Sequence, residues 1–220
     1  MNFAKLIFGL LLGRRLPVTS GRLSVEGLRR PVRIDRDAWG IPSITAENDA
    51  DAWFALGFCQ GQDRAFQLEG MLRVVRGTLS ELVGPDALPV DRLSRRLGMH
   101  RGAAAQLAAL DPDMRANMTA FAAGVSAGAS VGCRKPAHEF RLLGGAPTPW
   151  TVEDAVGILK LQSLALGNNW DSELTRFKIL SEDGPEALAV CERAASGCPA
   201  SSSRNGSRSK AETRSWRRSW

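Results

Sequence analysis

The sequence holds no tyrosine, two histidines (His100, His138), four cysteines and five lysines in 220 residues. It also lacks a long apolar run. Leu6-Ile7-Phe8-Gly9-Leu10-Leu11-Leu12 is seven residues, where a membrane-spanning helix needs about 20. No membrane span is therefore expected. The same run reaches the lower limit of a secretory apolar region, but Arg14-Arg15 follow it and no small-x-small cleavage site does. Residues 1–15 read as a lead-in, either an amphipathic helix or a disordered start, and leave a periplasmic and a cytoplasmic location both open. Four cysteines are too sparse for a disulfide-held scaffold. Cys133 and His138 are five apart, and Cys191 and Cys198 seven apart, which fits none of the close pairs of zinc sites. Cys59 lies inside a helical pattern and reads as a buried free thiol.

What is present is ordinary for a globular chain: 44% hydrophobic and 24% charged residues. This excludes collagen-like, coiled-coil and wholly disordered classes. The net charge of +6 is unevenly placed. Residues 197–220 set Arg204, Arg208, Lys210, Arg214, Arg217 and Arg218 against Glu212 alone, which leaves the body nearly neutral. With Trp216 and Trp220, this tail permits a reading as a basic module that binds nucleic acid or acidic surfaces. The body offers no basic stripe or nucleic-acid motif to support it.

The patterning predicts a mainly α chain with a short N-terminal β-hairpin. Residues 31–37 alternate apolar and charged, Asp37-Ala38-Trp39-Gly40 signals a turn, and residues 41–46 form the returning strand. Asn48 caps a long helix whose apolar residues recur to Val75, with Gly77 as its stop. Gly57 and Gly61 lie one turn apart on that helix, and their cost to helix stability implies a close backbone neighbour. A helical turn at 79–82, a second helical region at 90–109 with Leu93, Leu97 and Leu107 in its core, and a third helix opened by Asp111-Pro112 follow. Gly124, Gly128 and Gly132 are expected to loosen that third helix. Residues 136–150 read as a loop. Thr151 opens a fourth helix through a Thr151/Asp154 capping box, apolar nearly all round and so expected to be buried. It breaks at 167–170 and resumes over 171–180 and 186–190. Residues 191–220 read as a disordered basic tail.

Several motifs occur in one order: Arg36-Asp37-x-x-Gly40-Ile41-Pro42-x-Ile44; Asp51-Ala52-x4-Gly57-x3-Gly61-Gln62-Asp63-Arg64-x-x-Gln67-x-Glu69; Arg76-Gly77-x-Leu79-Ser80-Glu81-Leu82-x-Gly84; Ala123-Gly124-Val125-Ser126-Ala127; Glu139-Phe140-x-Leu142-Leu143-Gly144; and Pro149-Trp150-Thr151-x-x-Asp154. Over residues 16–190 the set resembles the N-terminal α-chain region of the penicillin acylase family. These are N-terminal-nucleophile amide hydrolases that cleave penicillins, cephalosporins or acyl-homoserine lactones. Ser43 stands where the family has histidine, Gly61 where it has alanine, and Ser126 where it has asparagine.

The resemblance implies an αββα sandwich built jointly with a β chain, whose N-terminal serine attacks a small acyl-amide substrate while its own α-amine takes the proton. An α-amine titrates near pH 8, so it can act as a base near neutrality. Backbone and asparagine donors would hold the oxyanion. The family's Ser-Asn-x-Trp run is absent from this sequence, and neither Cys198 nor Ser207 has the matching asparagine. No catalytic residue is therefore expected in this chain, which reads as an α-chain portion that stops before the nucleophile and is inactive by itself. A β chain encoded separately is the variant of that reading. The resemblance further implies that Asn168, Asn169 and Trp170 stand near the acyl pocket and that Glu173 is one carboxylate of a structural calcium site completed by the β chain. Glu173 could equally be a helix-surface carboxylate paired with Arg176 or Lys178, and Trp170 a core residue. Asp63 and Arg64 read as an ion pair or hydrogen-bond hub, grouped with the motif residues Asp37, Gly40, Gln62 and Gln67. The Arg-rich, Lys-poor, tyrosine-free composition fits a GC-rich gene, and a frame change near residues 189–196 would account for the tail. Without a β chain, the stripes of helices 48–76 and 151–180 would lack partners, so poor solubility or oligomerisation is expected.

Overall fold

A computed structural model of the chain describes residues 13, 15–167 and 169–197, with side chains to 193. The lead-in at 1–12 and the tail from Cys198 lie outside the described residues. The rest falls into two units that divide between Leu166 and Gly167.

In the first unit, strands β1 (Arg33–Arg36) and β2 (Pro42–Thr45) pair antiparallel, with Ile34 opposite Ile44. Alternation turns Ile34, Arg36, Pro42 and Ile44 inward and leaves Arg33, Asp35, Ser43 and Thr45 outward. The expected hairpin is present. Among the described residues outside the hairpin, Pro17 and Cys133 form an isolated antiparallel bridge.

Helix α1 (Asp49–Arg76) is capped by Asn48, whose side chain accepts from the Asp51 N–H, and ends at left-handed Gly77. Its partner is α5 (Pro112–Ser130). A Cβ on Gly57 or Gly61 would fall on the carbonyl oxygens of Phe121 and Val125, and one on Gly124 or Gly128 on those of Phe54 and Phe58. Four glycines, two on each helix at a four-residue spacing, thus bring two backbones into direct contact. The register advances the same way on both helices, so they run parallel. This corrects two expectations. Gly124 and Gly128 do not loosen the third helix, because they are its contact surface. The stripe of helix 48–76 also finds its partner within the chain.

Between these helices lie α2 (Ser80–Val83), a 3-10 turn (Pro85–Ala87), α3 (Leu88–Leu97) and α4 (Ala103–Ala109). The single helical region expected over 90–109 is two helices, because Gly98 adopts φ +64° and ends α3. Leu93 and Leu97 are exposed rather than core. The buried side of α3 carries Asp91 and Ser94 instead, and only Leu107 of the expected trio is buried. The loop expected over 136–150 contains α6 (His138–Leu143), held by buried Phe140 edge-on to Phe66 at 5.4 Å. Helix α7 (Val152–Leu166) is buried only at its start, at Asp154, Ala155, Val156 and Gly157. Leu159 is 59% and Leu166 80% exposed, so the expectation of burial all round fails for its second half.

The second unit consists of α8 (Trp170–Glu182) and α9 (Gly184–Gly197), which pack on each other. Helical backbone thus passes residue 191, where the tail was expected to begin. Among the described residues no helix is long and apolar enough to cross a membrane.

Candidate functional site

The motif residues converge on Arg36. Its guanidinium donates from Nη1 to Asp63 Oδ2 at 2.8 Å and from Nη2 to Asp63 Oδ1 at 3.0 Å, a bidentate pair. Nη2 also donates to Gln62 Oε1 and Nη1 to the Gly40 carbonyl. Buried Gln62 uses its amide to donate to the carbonyls of Val18 and Gly132, both at 2.8 Å. One arginine thus fastens the hairpin to α1, and one glutamine fastens α1 to the segments on either side. Asp37 closes the turn: its Oδ1 accepts from the N–H groups of Trp39 and Ile41, while Gly40 takes φ +81°. The partner of Asp63 is Arg36 rather than its neighbour Arg64. Arg64 sits at a kink in α1, with φ −132° and ψ 21°, and reaches Gln67 Oε1 at 3.5 Å.

Four buried carboxylates secure the rest of the first unit. Asp51 accepts from the N–H groups of Arg29 and Arg30, and Asp91 from those of Leu79 and Ser80. Glu69 accepts from Arg73 and from the Thr148 N–H and hydroxyl. Asp154 accepts from Arg76 Nε at 2.8 Å and Nη2 at 2.6 Å, and from the Thr151 N–H at 2.7 Å. His100 Nε2 lies 3.2 Å from it. Only the carboxylate half of the expected capping box forms: Asp154 accepts from the Thr151 N–H and hydroxyl, while its own N–H donates to the Thr151 carbonyl at 3.2 Å, and the same carboxylate ties α7 to α1. Burial alone would raise the Asp154 carboxyl, but the Arg76 and Thr151 hydrogen bonds outweigh it and hold it below the usual carboxylate range. Asp51 and Asp91 are lowered in the same way, against burial, by the groups that donate to them. Burial pushes the thiols of Cys59 and Cys133 up, so neither suits a nucleophile. Glu69, Arg76 and Asp154 stand in the motifs as charges inside apolar stripes, the signal that could have marked them. Nothing in the sequence marks Asp91.

The residues expected near an acyl pocket lie in the second unit. Asn168 is outside the described residues. Asn169 precedes α8 without a side-chain capping bond, and Trp170 is 53% exposed rather than core. An open cavity of about 790 Å³ between α8 and α9 is lined by Asn169, Glu173, Arg176 and Glu192 among others, and not by Trp170. Glu173 Oε1 accepts from Arg176 Nη1 at 3.1 Å, and Arg176 also meets Glu192. Calcium takes six to eight oxygens. Among the described residues no group of three or more His, Cys, Asp or Glu side chains could hold a metal.

A mainly helical chain with one antiparallel hairpin, fastened by these motif residues, has the architecture of the α-chain region of an N-terminal-nucleophile hydrolase. The family model for penicillin amidase matches residues 31–211, and the chain belongs to that family. The matched span runs into the basic tail. Penicillin acylase 2 proenzyme of Pseudomonas sp. (strain SE83) is 41% identical over 155 residues, covering 70% of this chain and 20% of the proenzyme. The acyl-homoserine lactone acylase QuiP of Pseudomonas aeruginosa is 31% identical over 174 residues, covering 79% of this chain and 20% of its own length. The chain thus spans about a fifth of these relatives. A solved thermostable penicillin G acylase from Alcaligenes faecalis superposes with a TM-score of 0.57 at 26% identity, covering 75% of this chain and 90% of the solved one.

Proposed function

We propose that these residues form the α-chain-like portion of a hydrolase of linear amides, of penicillin, cephalosporin or acyl-homoserine-lactone type, that works only with a β-chain-like portion. The carrying observation is one of coverage. The chain matches a fifth of an acylase proenzyme yet nine-tenths of a solved acylase chain. The absent Ser-Asn-x-Trp run supports a division of labour in which the nucleophile, its α-amine base and the oxyanion donors come from the other portion. This chain then contributes a rigid scaffold and the Asn168–Trp170 segment beside the acyl group. Glu173 offers one carboxylate to a calcium site whose remaining oxygens the other portion would supply.

The test is amine release from benzylpenicillin and from an acyl-homoserine lactone, by the purified chain alone and after co-expression with a β-chain-like portion. Activity is expected only in the second case. Amide hydrolysis by the chain alone would overturn the reading.

A further inference from the structure

The hairpin turn carries an indole that none of the described residues covers. Trp39 is 88% exposed and Ile41, two residues on, is 62% exposed. A single exposed aliphatic residue is common on any surface. This pair differs because the backbone beneath it is tied down from several directions. Asp37 accepts from the Trp39 and Ile41 N–H groups, the Gly40 N–H donates to the Asp37 carbonyl at 3.0 Å, and the Asp37 N–H donates to the Ile41 carbonyl at 3.2 Å. Arg36 holds the Gly40 carbonyl while its other donors grip Asp63 and Gln62 on α1. The turn is therefore braced against the longest helix of the unit, with Trp39 at its tip. The inward face of the hairpin is occupied by Ile34 and Ile44, so none of this bracing serves to bury the indole.

We propose that the Trp39–Ile41 tip is an anchor that seats in an apolar pocket on the remaining portion of the acylase, with a hydrogen-bond acceptor there for the indole N–H. The inference rests on the two-portion reading above and names the surface through which the portions recognise each other. Tryptophan offers a large contact area with two rotatable side-chain bonds, and it dominates binding energy where it fills a partner's pocket. A turn already fixed in shape loses little entropy on docking. The occupant is the rest of the enzyme because this chain accounts for only 20% of each of the two relatives compared. Four-fifths of a protein of that kind is left to pack against a scaffold whose hairpin tip is uncovered among the described residues.

The test uses the full 220-residue chain as wild type, Trp39→Ala, Trp39→Phe and, as an exposed control on α6, Leu142→Ala. Each is co-expressed with the part of the Pseudomonas SE83 proenzyme outside the matched fifth, and the affinity of the two portions is measured by dissociation of the co-purified complex. Thermal melts and circular dichroism report whether each variant folds. Trp39→Ala is expected to melt like wild type and to bind about 30-fold more weakly. Trp39→Phe should retain most of the affinity, and Leu142→Ala all of it. Equal binding by wild type and Trp39→Ala would overturn the anchor and leave the two-portion reading standing. Failure of the wild type to bind at all would count against that reading itself. Wild-type self-association abolished by Trp39→Ala would make a second copy the occupant and overturn the assignment made here.

Discussion

The two units use apolar residues in opposite ways. Up to Leu166 the large side chains are buried in places where something specific receives them. Phe54, Leu72, Val75, Val125 and Phe140 are at most 1% exposed, and four buried carboxylates lock the surrounding turns. From Gly167 onward no described side chain is buried, although Trp170, Leu174, Phe177 and Val190 are all present and more than half exposed. Hydrophobic content alone therefore does not make a core. The first unit has a core because glycines let two helices approach and because charges satisfy the backbone at the places the helices leave open. The second has helical periodicity but neither device.

The comparison breaks most visibly at the glycine contact. Gly61→Val would place side-chain carbon on the Val125 carbonyl, where neither backbone can yield without separating the helices. It is expected to cost about 4 kcal/mol or more, measured by urea unfolding. Gly70 is on the same helix with nothing within 4 Å of a Cβ. Gly70→Ala is expected to stabilise by about 0.5–1 kcal/mol through reduced backbone entropy in the unfolded chain. Two glycines of one helix should thus move stability in opposite directions. Equal effects would mean that α1 and α5 do not meet through their glycines.

Half of that contact is legible in the sequence. Gly57 and Gly61 read as the mark of a close neighbour because both lie on one helix face, a property of local spacing. Gly124 and Gly128 carry the same mark, but on sequence alone they are equally consistent with a loosened helix, since their partners are distant in the chain and spacing does not name a partner. The sequence pattern points to Asp63 and Arg64 as an ion pair or hydrogen-bond hub without naming the partner of either. Adjacent residues on a helix do not face each other, and the true mate is Arg36 on the hairpin. The break at 167–170 was visible as a lapse in pattern, and it coincides with the division into units. The all-round apolar surface of α7 reports what it could bury, not what lies beside it, which is why its second half is exposed despite the pattern.

A smaller effect separates the units by pH. The carboxyls of Asp51, Asp91 and Asp154 titrate below their unfolded value near 3.9. Their stabilisation is present above that value and lost as pH falls through the lowered folded values. Stability of the first unit should therefore be steady from pH 7 to about 5 and fall steeply below about 4. Asp154→Asn leaves Arg76 without its anion and is expected to cost about 3 kcal/mol at pH 7. The variant should also show a shallower acid limb. An acid limb as steep as that of the wild type would deny Asp154 its place among the groups that set it.

The smallest expected effect is at Glu173, and it sharpens the contrast from the other side. Its carboxylate meets Arg176 at 3.1 Å with both side chains about half exposed, the kind of pair that contributes little. Glu173→Gln should change the melting free energy of the chain by less than about 0.5 kcal/mol. Adding millimolar calcium or a chelator should leave the melting temperature of the chain alone unmoved. A carboxylate that contributes so little to its own unit is free to serve something outside it, whereas Asp154 is fully committed where it stands. A calcium-dependent rise in melting temperature that disappears in Glu173→Gln would show that the second unit gathers a cation without help. It would also remove the reason for seeking the remaining oxygens in another portion of the enzyme.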